Sequence, residues 1–393
     1  MKAKVLSVLL LAAMLLSACA SEVTTTATGS EVIKIGVLYN LTGSQASLDT
    51  PSANGAKLAA KEINDGGGIN GKKIELVSYD GKSDAATIGN AATQLVESDK
   101  VVVMMGFSDS DMVMAAAPIA AKAGIPFVTS GATSPKLPEK VPTYLFLACF
   151  GDNVQAAAAA EYAYNTTKAK IAYLLIDKGM EYTLLLGKYF KERFIELGGT
   201  VVLEDNYQTG DKDFSAQITK LKAAGTMPDV LFISSGPDDV GTIVKQFRDA
   251  GIDKPIFGGD GYDTPNLVSI AGKGAENVYF TTHSLMDETG GTDAVKKFIA
   301  GYKKEFNAPP ENAFAGLGYD TVMLIADAIK RAGSADPKAI LEALKTTKDL
   351  PGVTGKITFA GSTIPQKSVS VILVKDGKFT LASEVVPEKV PAP

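Results

Sequence analysis

The sequence predicts an α/β protein of two doubly wound lobes with parallel-type sheets, and three observations predict it. Strand-like apolar runs alternate with segments of helical spacing along most of the chain. The strand-like runs are apolar at nearly every position, as strands covered on both faces require. At 393 residues the chain exceeds one ordinary core, and the same rhythm restarts after Asp152.

In the first half, Val32–Leu38, Lys73–Tyr79, Val101–Met105 and Ile125–Thr129 read as strands. Between them, Ser52–Asn64 carries Ala56, Ala59, Ala60 and Ile63 at helical spacing, and Ala85–Glu97 and Asp111–Ala123 read as helices. Asp65–Gly71 is glycine-rich but follows a helix and leads into a strand. A phosphate-binding loop needs the reverse order, so nucleotide binding is not expected. In the second half, Lys170–Ile176, Thr200–Glu204, Val230–Ile233, Pro255–Gly258 and Val278–Thr281 read as strands. Gln155–Asn165, Tyr182–Leu197, Phe214–Ala224, Val240–Ala250, Thr292–Glu305 and Tyr319–Ala332 read as helices. Asp152 and the region near His283 mark the expected crossings between lobes.

Composition narrows the chemistry. The net charge is -5 and no long basic run appears, so nucleic acid is not an expected partner. One histidine, His283, and two cysteines leave little material for a zinc site or a Cys-His nucleophile. No cofactor and no metal is expected, and no catalytic residue is assigned. The pairs Asp109/Asp111 and Asp238/Asp239 read as capping or solvated acids, because neighbouring side chains need not converge on one reacting atom. No GxSxG elbow is present.

Ligands in open α/β sheets bind beyond the carboxyl ends of the strands. The loops there are small and polar: Asn40–Ser44, Gly106–Ser110, Ser130–Ser134, Asp177–Tyr182, Ser234–Gly236 and Gly259–Tyr262. Hydroxyls and free N–H groups in them suit a carboxylate, although each loop alone is also ordinary turn chemistry.

The N-terminus carries its own signal. Lys2 and Lys4 precede the apolar run Val5–Leu16, the length of a signal-peptide core and short for a membrane span. Leu16-Ser17-Ala18-Cys19 resembles the bacterial lipobox, which implies cleavage before Cys19 and lipid on its sulfur. Loss of Lys2 and Lys4 leaves the mature chain more acidic. Ala20–Ser30, with four threonines and two serines, reads as a flexible stalk. Cys149 in Leu145–Phe150 reads as a small buried hydrophobe.

Several segments together resemble the branched-chain amino acid-binding family of bacterial transport receptors, the type I periplasmic binding proteins. They are Ile35–Gly43, Asn54–Asn64, Gly124–Pro135, Asp213–Lys222 and Gly258–Gly261, within a match from Ile33 to Gly377. The resemblance implies two lobes joined by a three-strand hinge that close on a ligand. It implies a signal peptide over 1–18, a lipidated stalk over 19–30, an N-terminal lobe of 31–152 with 284–365, and a C-terminal lobe of 153–283 with 366–393. Ser110, Gly131 and Thr133 match the positions that hold an amino acid head group on the first lobe. Tyr182 and Asp260 match the second lobe, with Asp260 at the ammonium position. The expected function is an extracytoplasmic, lipid-anchored solute-binding protein that delivers a small amino acid to the permease subunits of an ABC transporter. The chain is expected to be a monomer. Leu48, Gly236 and Pro237 stand where branched-chain-binding relatives carry aromatic residues, and Ser83 and Asp109 where some carry a disulfide. These departures fall on the side-chain pocket. Two other functions are weighed: a sensory protein for an amide, urea or carboxylate ligand, and a hydrolase using Ser110 or Ser130, which lacks a credible base.

Overall fold

The computed structural model describes residues 32–359 and 361–393. The expected signal peptide, Cys19 and the expected stalk therefore lie outside the described residues.

The first sheet contains β1 (Ile33–Tyr39), β2 (Ile74–Asp80), β3 (Val103–Gly106), β4 (Phe127–Thr129) and β5 (Leu145–Leu147), in the order β2-β1-β3-β4-β5. Every pairing in it is parallel. On one face Ala56 and Ala59 of α1 (Ala46–Asp65) pack with Val322 and Ile325 of α11 (Ala313–Ala332) and Ile340 of α12 (Pro337–Lys345). On the other lie α2 (Ala85–Glu97) and α3 (Ser110–Lys122), through Ile88, Leu95, Val113 and Ala117. Val103, Met104 and Met105 are fully buried between these layers, which explains their unbroken apolar run. Gly106 ends β3 at φ +147, and a Cβ there would stand 1.7 Å from the Leu38 carbonyl oxygen. Only glycine lets the chain turn out of the sheet so close to β1.

The second sheet contains β6 (Ile171–Asp177), β7 (Thr200–Tyr207), β8 (Val230–Ser234), β9 (Ile256–Gly258), β10 (Val278–Thr282), β11 (Val369–Lys375) and β12 (Lys378–Val385). Its order is β12-β11-β10-β9-β8-β6-β7. Helices α5 (Asp152–Glu161) and α6 (Glu181–Glu196) cover one face; α7 (Ser215–Ala223), α8 (Val240–Asp249) and α9 (Pro265–Ala271) cover the other. The chain leaves the first lobe after β5, returns after β10 to place α10 (Asp293–Phe306) against Leu58 of α1, and crosses again before β11. Lys367 on the last crossing donates its Nζ to the Ala148 carbonyl at 3.1 Å and to Thr354 Oγ1 at 2.7 Å. One buried ammonium thereby ties the last crossing to the first.

Several elements differ from the sequence reading: β5, α9 and α12 were not anticipated, and α11 begins at Ala313 rather than Tyr319. Helix α1 begins at Ala46, not Ser52, and runs through Pro51. Its first turn buries Leu48 and Asp49, and that burial outweighs the one backbone hydrogen bond that proline removes. The antiparallel hairpin β11–β12 was not anticipated. Its turn is Asp376-Gly377, at φ +52 and +69, the dipeptide that hairpin turns of this handedness favour.

Candidate functional site

The site forms where the carboxyl ends of both sheets face each other. From the first lobe, Asp109 caps α3 by accepting from the Met112 N–H at 3.0 Å, which sets Ser110 as the first helical residue. Ser110 is buried, and its Oγ accepts from the Ser134 N–H at 3.2 Å, leaving its own proton to donate. After β4, Gly131 lies under the ring of Phe314; a Cβ there would come within 2.7 Å of that ring. Thr133 is buried, and its carbonyl accepts from the Asp152 N–H at 2.7 Å, a bond onto the first crossing. Ser134 Oγ donates to Glu181 Oε1 at 2.8 Å, and Lys140 pairs with the same carboxylate.

From the second lobe, β9 delivers a short turn over Asp260–Tyr262. Asp260 is buried and held at three atoms. Its N–H donates to Gln155 Oε1 at 3.0 Å, its Oδ1 accepts from Gln155 Nε2 at 2.9 Å, and its Oδ2 meets His283 Nε2 at 3.0 Å. Burial holds His283 below its ordinary pKa, against the opposing pull of Asp260. The imidazole is therefore a neutral donor near pH 7 and brings no charge to the acid. Phe150 stacks on it at 3.9 Å and Phe314 meets it edge-on. Tyr182 OH accepts from the Gly261 N–H at 3.0 Å. Burial, reinforced by the Asp260 charge, pushes its phenol well above the ordinary range, so it remains a hydrogen-bond donor.

Between the lobes these residues enclose a cavity of about 10 Å³, room for about one water molecule. Its first-lobe wall is Gln45, Leu48, Ser108, Asp109 and Phe314; its second-lobe wall is Met180, Tyr182, Pro237, Asp260 and Gly261. Burial raises the Asp109 carboxyl to about 7, with the Asp111 charge adding to it. A cavity of about 550 Å³ lies elsewhere, beside the crossing at Ser284–Asp287, and none of the strand-end loops reaches it.

Of the residues singled out in the sequence, Tyr182 and Asp260 face the small cavity. Ser110, Gly131 and Thr133 are buried and do not line it, and Thr133 reaches Asp260 through Asp152 and Gln155. The sequence reading missed Gln155, Phe314 and Gln45. Gln155 carries a weak signal, a lone amide beside the buried run Ala156–Ala160. Phe314 carries none, because its place over Gly131 depends on a helix far along the chain. Cys149 is buried, with Sγ 3.3 Å from the Ala132 carbonyl, and burial pushes its thiol well above the ordinary range. Among the described residues no cluster of three or more His, Cys, Asp or Glu is arranged to hold a metal.

Residues 32–377 match the family described as periplasmic binding protein. The Leu/Ile/Val-binding protein homolog 1 of Brucella suis is 32% identical over 330 residues, 83% of this chain and 86% of that one. Among solved structures, the branched-chain amino acid transporter substrate-binding protein LivJ of Streptococcus pneumoniae, in complex with isoleucine, superimposes with a TM-score of 0.85. It is 35% identical and covers 91% of this chain and 100% of its own. A solute-binding protein of an ABC transporter from Rhodopseudomonas palustris, in complex with 3,4-dihydroxybenzoic acid, gives a TM-score of 0.81 at 26% identity, covering 92% and 99%.

Proposed function

This chain belongs to the periplasmic binding protein family, among its branched-chain amino acid-binding members, and from that premise we propose that it captures an α-amino acid between its lobes for delivery to an ABC transporter. Its relatives are substrate-binding proteins of transporters, and it is not an enzyme. In this reading the carboxylate lies against the N-terminal end of α3, taking hydrogen bonds from Ser110 and Thr133, while the Gly131 N–H is given to the Phe107 carbonyl at 3.0 Å and its carbonyl is left to face the ligand. The ammonium meets Asp260, and Tyr182 closes over the ligand from the second lobe.

The observation that carries this reading is the state of Asp260. It is a buried acid on the cleft wall, and among the described residues its one basic contact is His283, which burial keeps neutral. An ionised carboxylate in such a place is costly unless a cation meets it, and the ammonium of an amino acid supplies one. A cavity with room for one water holds no amino acid, so the ligand enters by separation of the lobes. We take these as 31–152 with 284–365 and 153–283 with 366–393, moving on the three crossings.

Titration calorimetry with the twenty amino acids, their deaminated analogues and 3,4-dihydroxybenzoate, with each ligand recovered intact, tests the reading. Binding of one or a few amino acids, far tighter than their deaminated analogues, is expected. Preference for a carboxylate without an amino group would move the function to that ligand class and favour the sensory or aromatic-acid alternative.

Anchoring is proposed on the sequence alone. Lipid on Cys19 would hold the protein at the outer face of a membrane, each buried CH₂ contributing about 0.8 kcal/mol. Among the described residues no helix is long and apolar enough to cross a membrane. Cys19→Ala should shift the protein from the membrane fraction to the soluble one, or stop its maturation. Unchanged fractionation and unchanged N-terminal mass would refute the anchor.

A further inference from the structure

Asp152 opens α5 directly after the first crossing and is completely buried. Its backbone is tied to the first lobe through the Thr133 carbonyl. Its Oδ1 accepts from Gln155 Nε2 at 3.1 Å. Its Oδ2 is buried with no partner in good hydrogen-bond geometry, although the Thr133 hydroxyl stands beside the carboxyl. The Gln155 nitrogen that bonds Asp152 also bonds Asp260 Oδ1 at 2.9 Å. The amide oxygen accepts from the Asp260 N–H and from Thr281 Oγ1, each at 3.0 Å. Four bonds thus fix one side-chain amide between two carboxylates, and its two N–H groups serve one acid each.

We propose that Asp152 is a second carboxylate of the ammonium site, so that the cleft takes a cationic head group on a pair of acids bridged by Gln155. The inference rests on the amino acid reading above and adds to it a residue and a charge requirement.

The surroundings give the pair no other cation. His283, at the end of β10, is the one basic side chain bonded to either acid among the described residues, and it is neutral. Lys140 is taken by Glu181. Lys367 is directed to the Ala148 carbonyl and Thr354. From the remaining neighbours, Thr133 and Tyr182 offer hydroxyls, and Glu181 adds negative charge. A carboxylate oxygen in this setting, served at most by the Thr133 hydroxyl, can accept from a further donor, and a primary ammonium has three. One reaches Asp260, one reaches Asp152 Oδ2, and one remains for the first lobe.

Proton balance gives a direct readout. Burial pushes the Asp152 carboxyl well above the ordinary carboxylate range; the Thr133 hydroxyl and Gln155 amide oppose this, and the Asp260 and Glu181 charges add to it. That direction favours the protonated acid when no ligand is present. An arriving ammonium stabilises the carboxylate, the O–H bond of Asp152 breaks, and the proton leaves to solvent while the amine stays protonated. The carboxyl pKa is thus lower in the complex than in the free protein. Affinity for an amino acid is then full above the free-protein value and declines as pH falls through it.

The test is calorimetry at pH 7 in phosphate and in Tris, buffers of low and high ionisation enthalpy. It uses the amino acid that binds most tightly in the panel and its deaminated analogue: for L-leucine, 4-methylpentanoate. Wild type should release protons on binding the amino acid and none on binding the analogue. Asp152→Asn should abolish the release and weaken the amino acid tenfold or more, with less than a twofold effect on the analogue. Absence of proton release in wild type, or equal losses for both ligands in Asp152→Asn, would overturn the proposal and leave Asp152 a helix-start residue. Should Asp152→Asn not fold, Asp152→Ser, which keeps a hydroxyl for Gln155, is measured in its place with the same two readouts. An analogue that binds wild type as tightly as the amino acid refutes the amino acid reading itself. A strong amino acid preference with no proton release refutes only the role of Asp152.

Discussion

Asp260→Asn should weaken binding of an α-amino acid by about 2–5 kcal/mol and leave its deaminated analogue far less affected. The substitution keeps the shape of the side chain and removes its charge. Much of the loss comes from the ligand, whose ammonium would be buried without a counter-charge. The protein adds to it, because the contacts made by Asp260 require an acceptor at both oxygens. Gln155 Nε2 donates to Oδ1 and the neutral His283 donates to Oδ2. An asparagine has one oxygen, so one of these donors would face an NH₂ group. Paired calorimetry on wild type and variant reads both effects. Equal losses for the two ligands would make Asp260 a support of its own loop, and the amino acid assignment would weaken with it.

Gly318→Ala should destabilise the first lobe by about 3 kcal/mol or more, at the upper end of what overpacking does. Helices α1 and α11 touch backbone to backbone. A Cβ at Gly318 would lie 1.9 Å from the Ser52 carbonyl oxygen, and one at Gly55 would lie 1.8 Å from that of Ala315. These obstacles are main chain within two long helices and cannot rotate away. The helices must separate, and with them the layer of Val322, Ile325, Ala56 and Ala59. Phe314, near the start of α11, would shift over the cleft as well, so ligand affinity should fall together with stability. Urea unfolding followed by circular dichroism measures the effect. A denaturation midpoint equal to that of wild type would show that the helices do not approach this closely.

Much of the fold was legible because the central strands of both sheets are buried on both faces. Runs such as Val101–Met105 and Lys170–Ile176 advertise themselves, and the order of strand and helix fixes the parallel pairing. The loops at the strand ends followed from the same logic, and the family resemblance singled out Tyr182 and Asp260 within them. Other features left signals that went unread. Asp376-Gly377 is a hairpin turn, and Asp336-Pro337 is a helix start at which Asp336 caps the Ala339 N–H at 3.0 Å. Helix α5 escaped full reading for a different reason. It is buried on nearly every side, so Ala156–Ala160 shows no polar face from which Asp152 or Gln155 would stand out. The bridge from Asp152 through Gln155 to Asp260 joins residues more than a hundred positions apart. The stacking of Phe150 on His283 joins two separate crossings. Such meetings are products of the folded chain and have no local pattern.

The claim that the two lobes close on an amino acid is tested most directly by small-angle X-ray scattering of the protein with and without its tightest-binding amino acid. The bound state gains contacts with both lobes, so ligand shifts the population toward the closed form. A smaller radius of gyration at saturating ligand is the expected result. A scattering curve that does not change at saturation would contradict closure of the lobes as the means of capture.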